Sequence, residues 1–168
     1  FKDQNSGAYV HMTSTSGLIG NFGQANYCAG KMGLVGLSKA IALDMQRFNV
    51  TSNCIAPFAL TPMVAAGVPK ETEEDKARWR AIERLEPRKI APFTCALMPD
   101  AGRSVNGQIF GVRANEIFLF SQPRPIRTAH AGGDGWTTAS VVERVFPMFK
   151  ASMFPLDRSM DVFTWDPV

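Results

Sequence analysis

The chain has 168 residues, which is enough for one domain with a sizeable hydrophobic core. Hydrophobic residues make up 45% and charged residues 20% of the sequence, a balance that excludes a disordered or fibrous protein. The net charge of +3 is spread along the chain without a block of Lys or Arg, so neither nucleic acid nor an anionic membrane is indicated as a partner.

Membrane and disulfide signals are also missing from the sequence. No apolar run approaches the ~20 residues that span a bilayer, and no basic and then apolar signal peptide is recognised. The three cysteines are far apart and form no CxxC pair; they are Cys28, Cys54 and Cys95. We interpret them as reduced, mostly buried thiols of a cytoplasmic protein, and we expect no metal site.

The first predicted strand is AYVHM, residues 8–12, and its apolar character is typical of a parallel sheet. We expect His11 within it to be a hydrogen-bonded, partly buried side chain rather than a catalytic one. The next residues, TSTSGLIGNFGQAN, are dense in Gly, Ser and Thr and predict a loop.

A long helix is predicted from residues 24–26 to Phe48. Its apolar stripe, at spacings of three and four, consists of Leu34, Leu37, Ile41 and Met45. Gly30, Gly33 and Gly36 interrupt it, and each lowers helix propensity by up to ~1 kcal/mol. We expect close packing to compensate, against either the neighbouring strand or a helix of a second subunit.

The second strand is NVTSNCIAP, residues 49–57, which Pro57 is expected to end. A loop to residue 70, a charged helix over residues 71–87 and a third strand over 108–112 follow. A helix capped near Thr137 leads to an aromatic tail, which we expect to dock on its own domain or on a partner subunit.

Three side chains suggest a chemistry: Ser14 after the first strand, Tyr27 at the start of the long helix, and Lys31 one turn later. A free phenol has a pKa of ~10, too high for a base near neutrality. An ammonium one helical turn away favours the ionised form, and such a phenol can exchange a proton with an alcohol or ketone. A Tyr-x-x-x-Lys pair alone is common, so its surroundings decide its meaning.

Those surroundings, GQANYCAGKMGLVGLSKAIALDM preceded by TSTSG and followed by NCIAP, closely resemble the short-chain dehydrogenases/reductases over some fifty residues. The resemblance implies that Ser14 polarises a substrate carbonyl, that Tyr27 is the general acid/base, and that Lys31 assists it and holds the nicotinamide ribose. It further implies that Pro57, Leu60 and Thr61 line the pocket of an NAD or NADP cofactor.

Two departures from the family pattern refine this interpretation. Phe58 stands where the family usually has Gly, and the segment to Met63 is one residue short. The shorter segment and KIAPF resemble the 3-hydroxyacyl-CoA dehydrogenase domains of peroxisomal multifunctional enzymes. Trp79 lies where the family keeps a mobile substrate lid, although core packing explains it equally well.

The resemblance covers the C-terminal half of a Rossmann-like, doubly wound α/β domain. We therefore predict that residues 1–120 are that half and that residues 121–168 are an extension. The glycine-rich dinucleotide turn is absent from these residues, and the chain starts at Phe1, so we expect a missing N-terminal half and no activity without it.

The favoured function is an NAD(P)-dependent oxidoreductase that interconverts a secondary alcohol and a ketone, with a 3-hydroxyacyl or 3-oxoacyl thioester as the first choice of substrate. A homodimer or homotetramer built on the long helix is implied by the resemblance. The alternative is a non-catalytic assembly subunit that acts through its helix and tail. The NAD or NADP preference is open, since it is set on a strand outside these residues.

Overall fold

The apolar runs of the sequence form one sheet of four strands in the order β1-β2-β3-β4. The strands are β1 Gly7–Met12, β2 Val50–Phe58, β3 Ile109–Arg113 and β4 Glu116–Leu119. The first three are parallel and β4 is antiparallel to β3. The structure, a computed structural model, describes residues 1–98 and 100–168.

The helices connect the strands and follow the last one. They are α1 Thr15–Leu18, α2 Ala25–Met45, α3 Pro62–Ala66, α4 Glu73–Glu83, α5 Ala91–Ala96, α6 Pro99–Gly102, α7 Thr138–Ser140, α8 Phe146–Phe149 and α9 Ser159–Val162. Short 3₁₀ turns cover Gln46–Phe48, Pro87–Lys89 and Lys150–Ser152, and a π-helical turn covers Val141–Val145.

Several boundaries differ from the sequence predictions. Short helices α1 and α3 lie in segments predicted to be loops; α3 starts with Pro62, which the first turn of a helix tolerates. Strand β2 continues through Pro57 to Phe58. Pairing with β1 stops at Ile55, so the missing N–H of Pro57 costs no bond there, whereas pairing with β3 continues to Phe58.

Strand β2 is buried on both faces, as predicted for the centre of a parallel sheet. On one face Cys54 packs with Val35 of α2 and Ile109. On the other face Ile55 packs with Leu97 and Val112. Of the three cysteines, Cys54 is buried, Cys28 is half-buried and Cys95 is exposed, so "mostly buried" is wrong for Cys95.

A polar network inside the core fixes α2 against the sheet. The Asn106 side chain accepts a 2.9 Å hydrogen bond from the Ser52 amide and donates one of 3.3 Å to the Ala42 carbonyl. His11 Nε2 lies 3.1 Å from Ser52 Oγ, which lies 3.0 Å from Ser38 Oγ. His11 is therefore hydrogen-bonded and half-buried, as the sequence indicated, and burial lowers its pKa.

The glycines of α2 do not pack on the sheet. A Cβ atom placed on Gly30, Gly33 or Gly36 would meet no atom within 4 Å. The neighbouring strand is thus excluded as the partner that explains them. The opposite face of α2 is the buried one, formed by Val35, Ser38 and Ala42.

The chain divides into two compact units, one of residues 1–121 with 157–168 and one of residues 122–156. The last twelve residues belong to the same unit as the sheet. In the second unit, Thr137 caps the first helical turn, as predicted. In the described part of the chain, no helix is long and apolar enough to cross a membrane.

Candidate active site

The predicted site residues lie at one edge of the sheet. Strands β1, β2 and β3 run parallel, with Met12 opposite Ile55 and Phe58 opposite Arg113. Their carboxyl ends therefore meet at the same edge, where ligands bind in open α/β sheets. Ser14 stands two residues beyond the end of β1, at this edge.

Ser14 caps the short helix α1. Its Oγ atom accepts a hydrogen bond of 3.2 Å from the Ser16 amide. Helix α1 packs closely on α2 at Gly17, where a Cβ atom would lie 2.9 Å from Cβ of Lys31 and 3.1 Å from the nitrogen of Met32. The absence of a side chain at Gly17 thus allows α1, and with it Ser14, to approach the turn of α2 that carries Lys31.

Tyr27 and Lys31 are neighbours on one face of α2. The Lys31 Nζ atom lies 5.6 Å from the centre of the Tyr27 ring, as their spacing of four predicts. Nζ also donates a hydrogen bond of 2.8 Å to the Met12 carbonyl oxygen. The Thr13 hydroxyl donates one of 2.6 Å to the Lys31 carbonyl oxygen. Two hydrogen bonds therefore fix this turn of α2 to the end of β1.

The Tyr27 side chain is accessible. The residue is 45% exposed, so part of it is open to solvent at the sheet edge. An ammonium has three N–H groups, and the Met12 carbonyl takes one from Lys31. The others are able to bind further oxygens, such as the hydroxyls of a sugar. The structure thus brings Tyr27 and Lys31 together and leaves Ser14 beside the same strand end.

The residues predicted to bind the cofactor follow at the end of β2. Pro57 is half-buried in the strand. The Leu60 amide donates a hydrogen bond of 2.7 Å to the Leu85 carbonyl oxygen, so that amide is already engaged within the chain. Thr61 caps α3, and its Oγ1 atom accepts a hydrogen bond of 3.3 Å from the Val64 amide. All three lie at or just beyond the carboxyl end of β2, the strand that pairs with β1.

The departure at Phe58 has a structural reason. Its ring contacts Phe163 edge to face, with the ring centres 5.0 Å apart. The sequence showed an aromatic tail but not where it docks, since nothing local in it pairs Phe58 with a residue more than a hundred positions away. A large side chain directly after Pro57 thus gives the tail a place to dock.

We call residues Asp157–Val168 the C-terminal segment. Ser159 Oγ donates a hydrogen bond of 2.6 Å to Thr15 Oγ1, and the Ser159 amide donates one of 2.9 Å to the Gly20 carbonyl oxygen. The segment therefore contacts the loop that carries Ser14. Residues 157–168 therefore dock on the unit that contains the sheet.

Arg113 holds the other end of the C-terminal segment. It is 4% exposed. Its Nε atom donates a hydrogen bond of 2.7 Å to Glu116, and its Nη1 atom donates one of 3.0 Å to the Trp165 carbonyl oxygen. The hydrogen bond from Arg113 lowers the pKa of Glu116. Four aromatic rings surround the guanidinium at 4.7–5.9 Å, those of Phe58, Phe118, Phe163 and Trp165.

Helix α4, which carries Trp79, has no buried residue. Trp79 is half-buried, with the Lys70 Nζ atom 3.5 Å from its ring centre and its Nε1 atom donating to Glu83. It therefore packs against charged neighbours and not in the hydrophobic core. Within residues 1–98 and 100–168, no cluster of His, Cys, Asp and Glu could hold a metal ion.

Comparison with known proteins shows the family of this chain. Residues 1–114 match the family model described as enoyl-(acyl carrier protein) reductase. The chain belongs to the short-chain dehydrogenase/reductase family. It is 34% identical over 132 residues to the hydroxyacyl-CoA dehydrogenase ChsB1 of Mycobacterium tuberculosis, a match that covers 77% of this chain and 40% of that protein.

Solved structures of other proteins also match this chain. The full-length peroxisomal multifunctional enzyme type 2 of Drosophila melanogaster matches with a TM-score of 0.68 at 26% identity, over 97% of this chain and 28% of that one. An actinorhodin polyketide ketoreductase with NADPH matches with a TM-score of 0.56 at 26% identity. The match covers 67% of this chain and 48% of that one. The predicted α/β, Rossmann-like fold and family are confirmed, and the chain spans less than half the length of these relatives.

Proposed function

We propose that this chain carries the proton-transfer side chains of an NAD(P)-dependent oxidoreductase that interconverts a secondary alcohol and a ketone. The observation that carries the proposal is the position of the Lys31 ammonium, bound to the Met12 carbonyl and 5.6 Å from the Tyr27 ring. It supports the proposal because open α/β sheets bind ligands at the carboxyl ends of their strands, and a phenol and a positive charge stand together beside the end of β1.

Each of the three side chains has a distinct role in this proposal. Tyr27 gives a proton to the developing alkoxide in reduction, or takes one from the alcohol in oxidation. Lys31 binds the ribose hydroxyls of the cofactor and puts a positive charge 5.6 Å from the centre of the Tyr27 ring. Ser14 donates a hydrogen bond to the same substrate oxygen and stabilises its negative charge.

The residues present fit the nicotinamide end of a dinucleotide. Lys31 has N–H groups to spare for the ribose hydroxyls, Tyr27 is open to solvent, and Pro57 borders the same edge. When bound, the nicotinamide supplies or accepts the hydride. We propose that the adenine end is held by a glycine-rich turn outside these 168 residues, together with the features that select NAD or NADP.

A 3-hydroxyacyl or 3-oxoacyl thioester is the proposed substrate class. The similar protein of Mycobacterium tuberculosis is named a hydroxyacyl-CoA dehydrogenase, and the similar Drosophila structure is a peroxisomal multifunctional enzyme. The name of the second relative makes a peroxisomal location an alternative to the cytoplasmic one that we propose from the free cysteines.

The exposed glycine face of α2 supports a second candidate function, that of a non-catalytic assembly subunit. No atom lies within 4 Å of a Cβ built on Gly30, Gly33 or Gly36, so another helix can approach this face closely. The same face is where we propose that a homodimer or homotetramer of the enzyme forms.

The substitution Tyr27→Phe in the full-length protein separates the two functions. It removes the transferable proton and keeps the ring beside Lys31. We expect NAD(P)H-linked turnover to fall by a factor of about 100 or more, with the oligomeric state unchanged. The matched control is Tyr9→Phe, a phenol on β1 that is not part of the proposed site. Turnover that survives Tyr27→Phe would contradict the proposed role of Tyr27, whereas no turnover in the unchanged full-length protein would leave the assembly subunit.

A further inference from the structure

The C-terminal segment crosses the ends of the three parallel strands in order. Ser159 contacts the loop after β1, the Phe163 ring contacts Phe58 at the end of β2, and Trp165 contacts Arg113 at the end of β3. These are the same carboxyl ends that carry the proposed catalytic residues. The segment therefore lies along the proposed active-site edge.

Ser159 binds both ends of α1. Its hydroxyl donates to Thr15 Oγ1 at the first residue of the helix, and its amide donates to the Gly20 carbonyl oxygen beyond the last one. An isolated helix of four residues has no stability of its own, because nucleation is unfavourable. Since Ser14 is the residue that caps α1, anything that closes this turn also fixes Ser14.

The rest of the C-terminal segment is anchored firmly enough to hold Ser159 in place. The buried Arg113 side chain binds the Trp165 carbonyl, and the Trp165 Nε1 atom donates a hydrogen bond of 2.6 Å to Glu116. Nearer the end of the segment, the Pro167 carbonyl oxygen accepts a hydrogen bond of 3.0 Å from the Arg84 side chain. A segment fixed at one end by these bonds presents Ser159 to α1 at little further entropic cost.

We propose that Ser159 is a positioning residue for Ser14, acting through Thr15 and the Gly20 carbonyl. This inference rests on the proposed function, in which Ser14 binds the substrate oxygen. Helix α1 is then held from two sides, by Gly17 on α2 and by Ser159 on the C-terminal segment. Loss of the second contact frees the Ser14 hydroxyl without disturbing Tyr27 or Lys31.

The first test uses hydrogen exchange of this chain and needs no turnover. In Ser159→Ala, we expect amides 15–20 to exchange about 10-fold faster, because the bridging hydrogen bond is lost. Ser159→Thr keeps a hydroxyl and is expected to restore protection. Thr164→Val, at an exposed site on the same segment, is the matched control and should change nothing at α1. Unchanged exchange at residues 15–20 in Ser159→Ala overturns the proposal.

The second test uses turnover of the full-length protein. Ser159→Ala should lower kcat about 10-fold while the Kd for NAD(P)H stays within a factor of two, since only the group that binds substrate oxygen is displaced. Faster exchange with unchanged kcat overturns the positioning role even though Ser159 holds α1. If Tyr27→Phe also keeps full turnover, the proposed function has failed; if Tyr27→Phe is inactive, only the role of Ser159 has failed.

Discussion

The Lys31 ammonium donates a hydrogen bond of 2.8 Å to the carbonyl oxygen of Met12, the last residue of β1. A lysine on an exposed helix face usually moves freely, with its charge in water. Here one strand end holds that charge beside the Tyr27 ring. The pair is therefore arranged before any ligand arrives.

The first prediction concerns this arrangement. Lys31→Met in the full-length protein removes the charge and keeps much of the side-chain volume, so we expect kcat to fall about 100-fold or more. Steady-state kinetics with NAD(P)H absorbance measures the change. Lys39→Met, two turns farther along α2, should leave kcat nearly unchanged. Comparable losses in the two variants would mean that any charge removed from the helix inactivates the protein.

The second prediction compares two glycines in this chain. In Gly17→Ala the added methyl group meets Cβ of Lys31 at 2.9 Å, so we expect the free energy of unfolding to drop by about 1–3 kcal/mol. In Gly36→Ala the methyl group meets no atom within 4 Å, and the helix should gain about 0.5–1 kcal/mol. Urea unfolding followed by circular dichroism measures both. Equal effects of the same sign would show that α1 does not pack tightly on α2.

The third prediction concerns acid stability through His11. Burial lowers the pKa of His11, so the folded state binds this proton less readily than the unfolded chain does. The neutral ring makes its full contribution to the free energy of unfolding above the ordinary pKa of ~6.5. That contribution is lost as the pH falls from there through the lowered pKa of the folded state. We expect His11→Gln to flatten this part of the stability profile, measured by unfolding at successive pH values. An identical profile in the variant would exclude His11 as its source.

The fourth prediction concerns Glu116, which holds Arg113 and Trp165. The hydrogen bond from Arg113 lowers the pKa of Glu116. The Glu116 carboxylate therefore stabilises the fold fully above the ordinary carboxyl pKa of ~4.3. This stabilisation is lost as the pH falls through the lowered pKa of the folded state. We expect the C-terminal segment to be released in this pH range. Trp165 fluorescence measures the release in a variant whose other tryptophans are replaced by Phe. In Glu116→Gln the release should no longer follow this titration.

The fifth prediction concerns the extent of the catalytic unit. These 168 residues contain no glycine-rich turn of the kind that binds a dinucleotide pyrophosphate, so we expect no NAD(P)H oxidation by this chain alone. Mixing it with a separately made N-terminal half should restore activity. Robust turnover without the added half would refute the expectation and would mean that the cofactor needs only the nicotinamide end.

Much of the fold was readable from local patterns. The apolar runs predicted β1, β2 and β3, and the spacing of apolar residues predicted α2 to within a few residues of Ala25–Met45. Strand β4, four residues with two side chains half-buried, is not among the strands that the sequence predicts, because it gains its stability by pairing with β3. Short helix α1 was missed for a similar reason: distant contacts hold it closed.

The site was predicted unevenly as well. Tyr27 and Lys31 share a helix face, and a spacing of four is enough to predict that they meet. The Thr13 bond to Lys31 and the Ser159 bond to Thr15 join residues 18 and 144 positions apart, and no local pattern encodes such pairs. The glycines of α2 were explained by close packing, yet the strand offers none.

Helix α2 is one rod of 21 residues, roughly 30 Å long, that carries Tyr27 and Lys31 in its first turns and the glycine face on another side. Inserting one residue between Lys31 and Gly33 would rotate everything beyond it by about 100° relative to the pair. Insertions and deletions among natural variants should therefore spare this helix and collect in the connections on either side, where a change in length leaves the angular alignment intact.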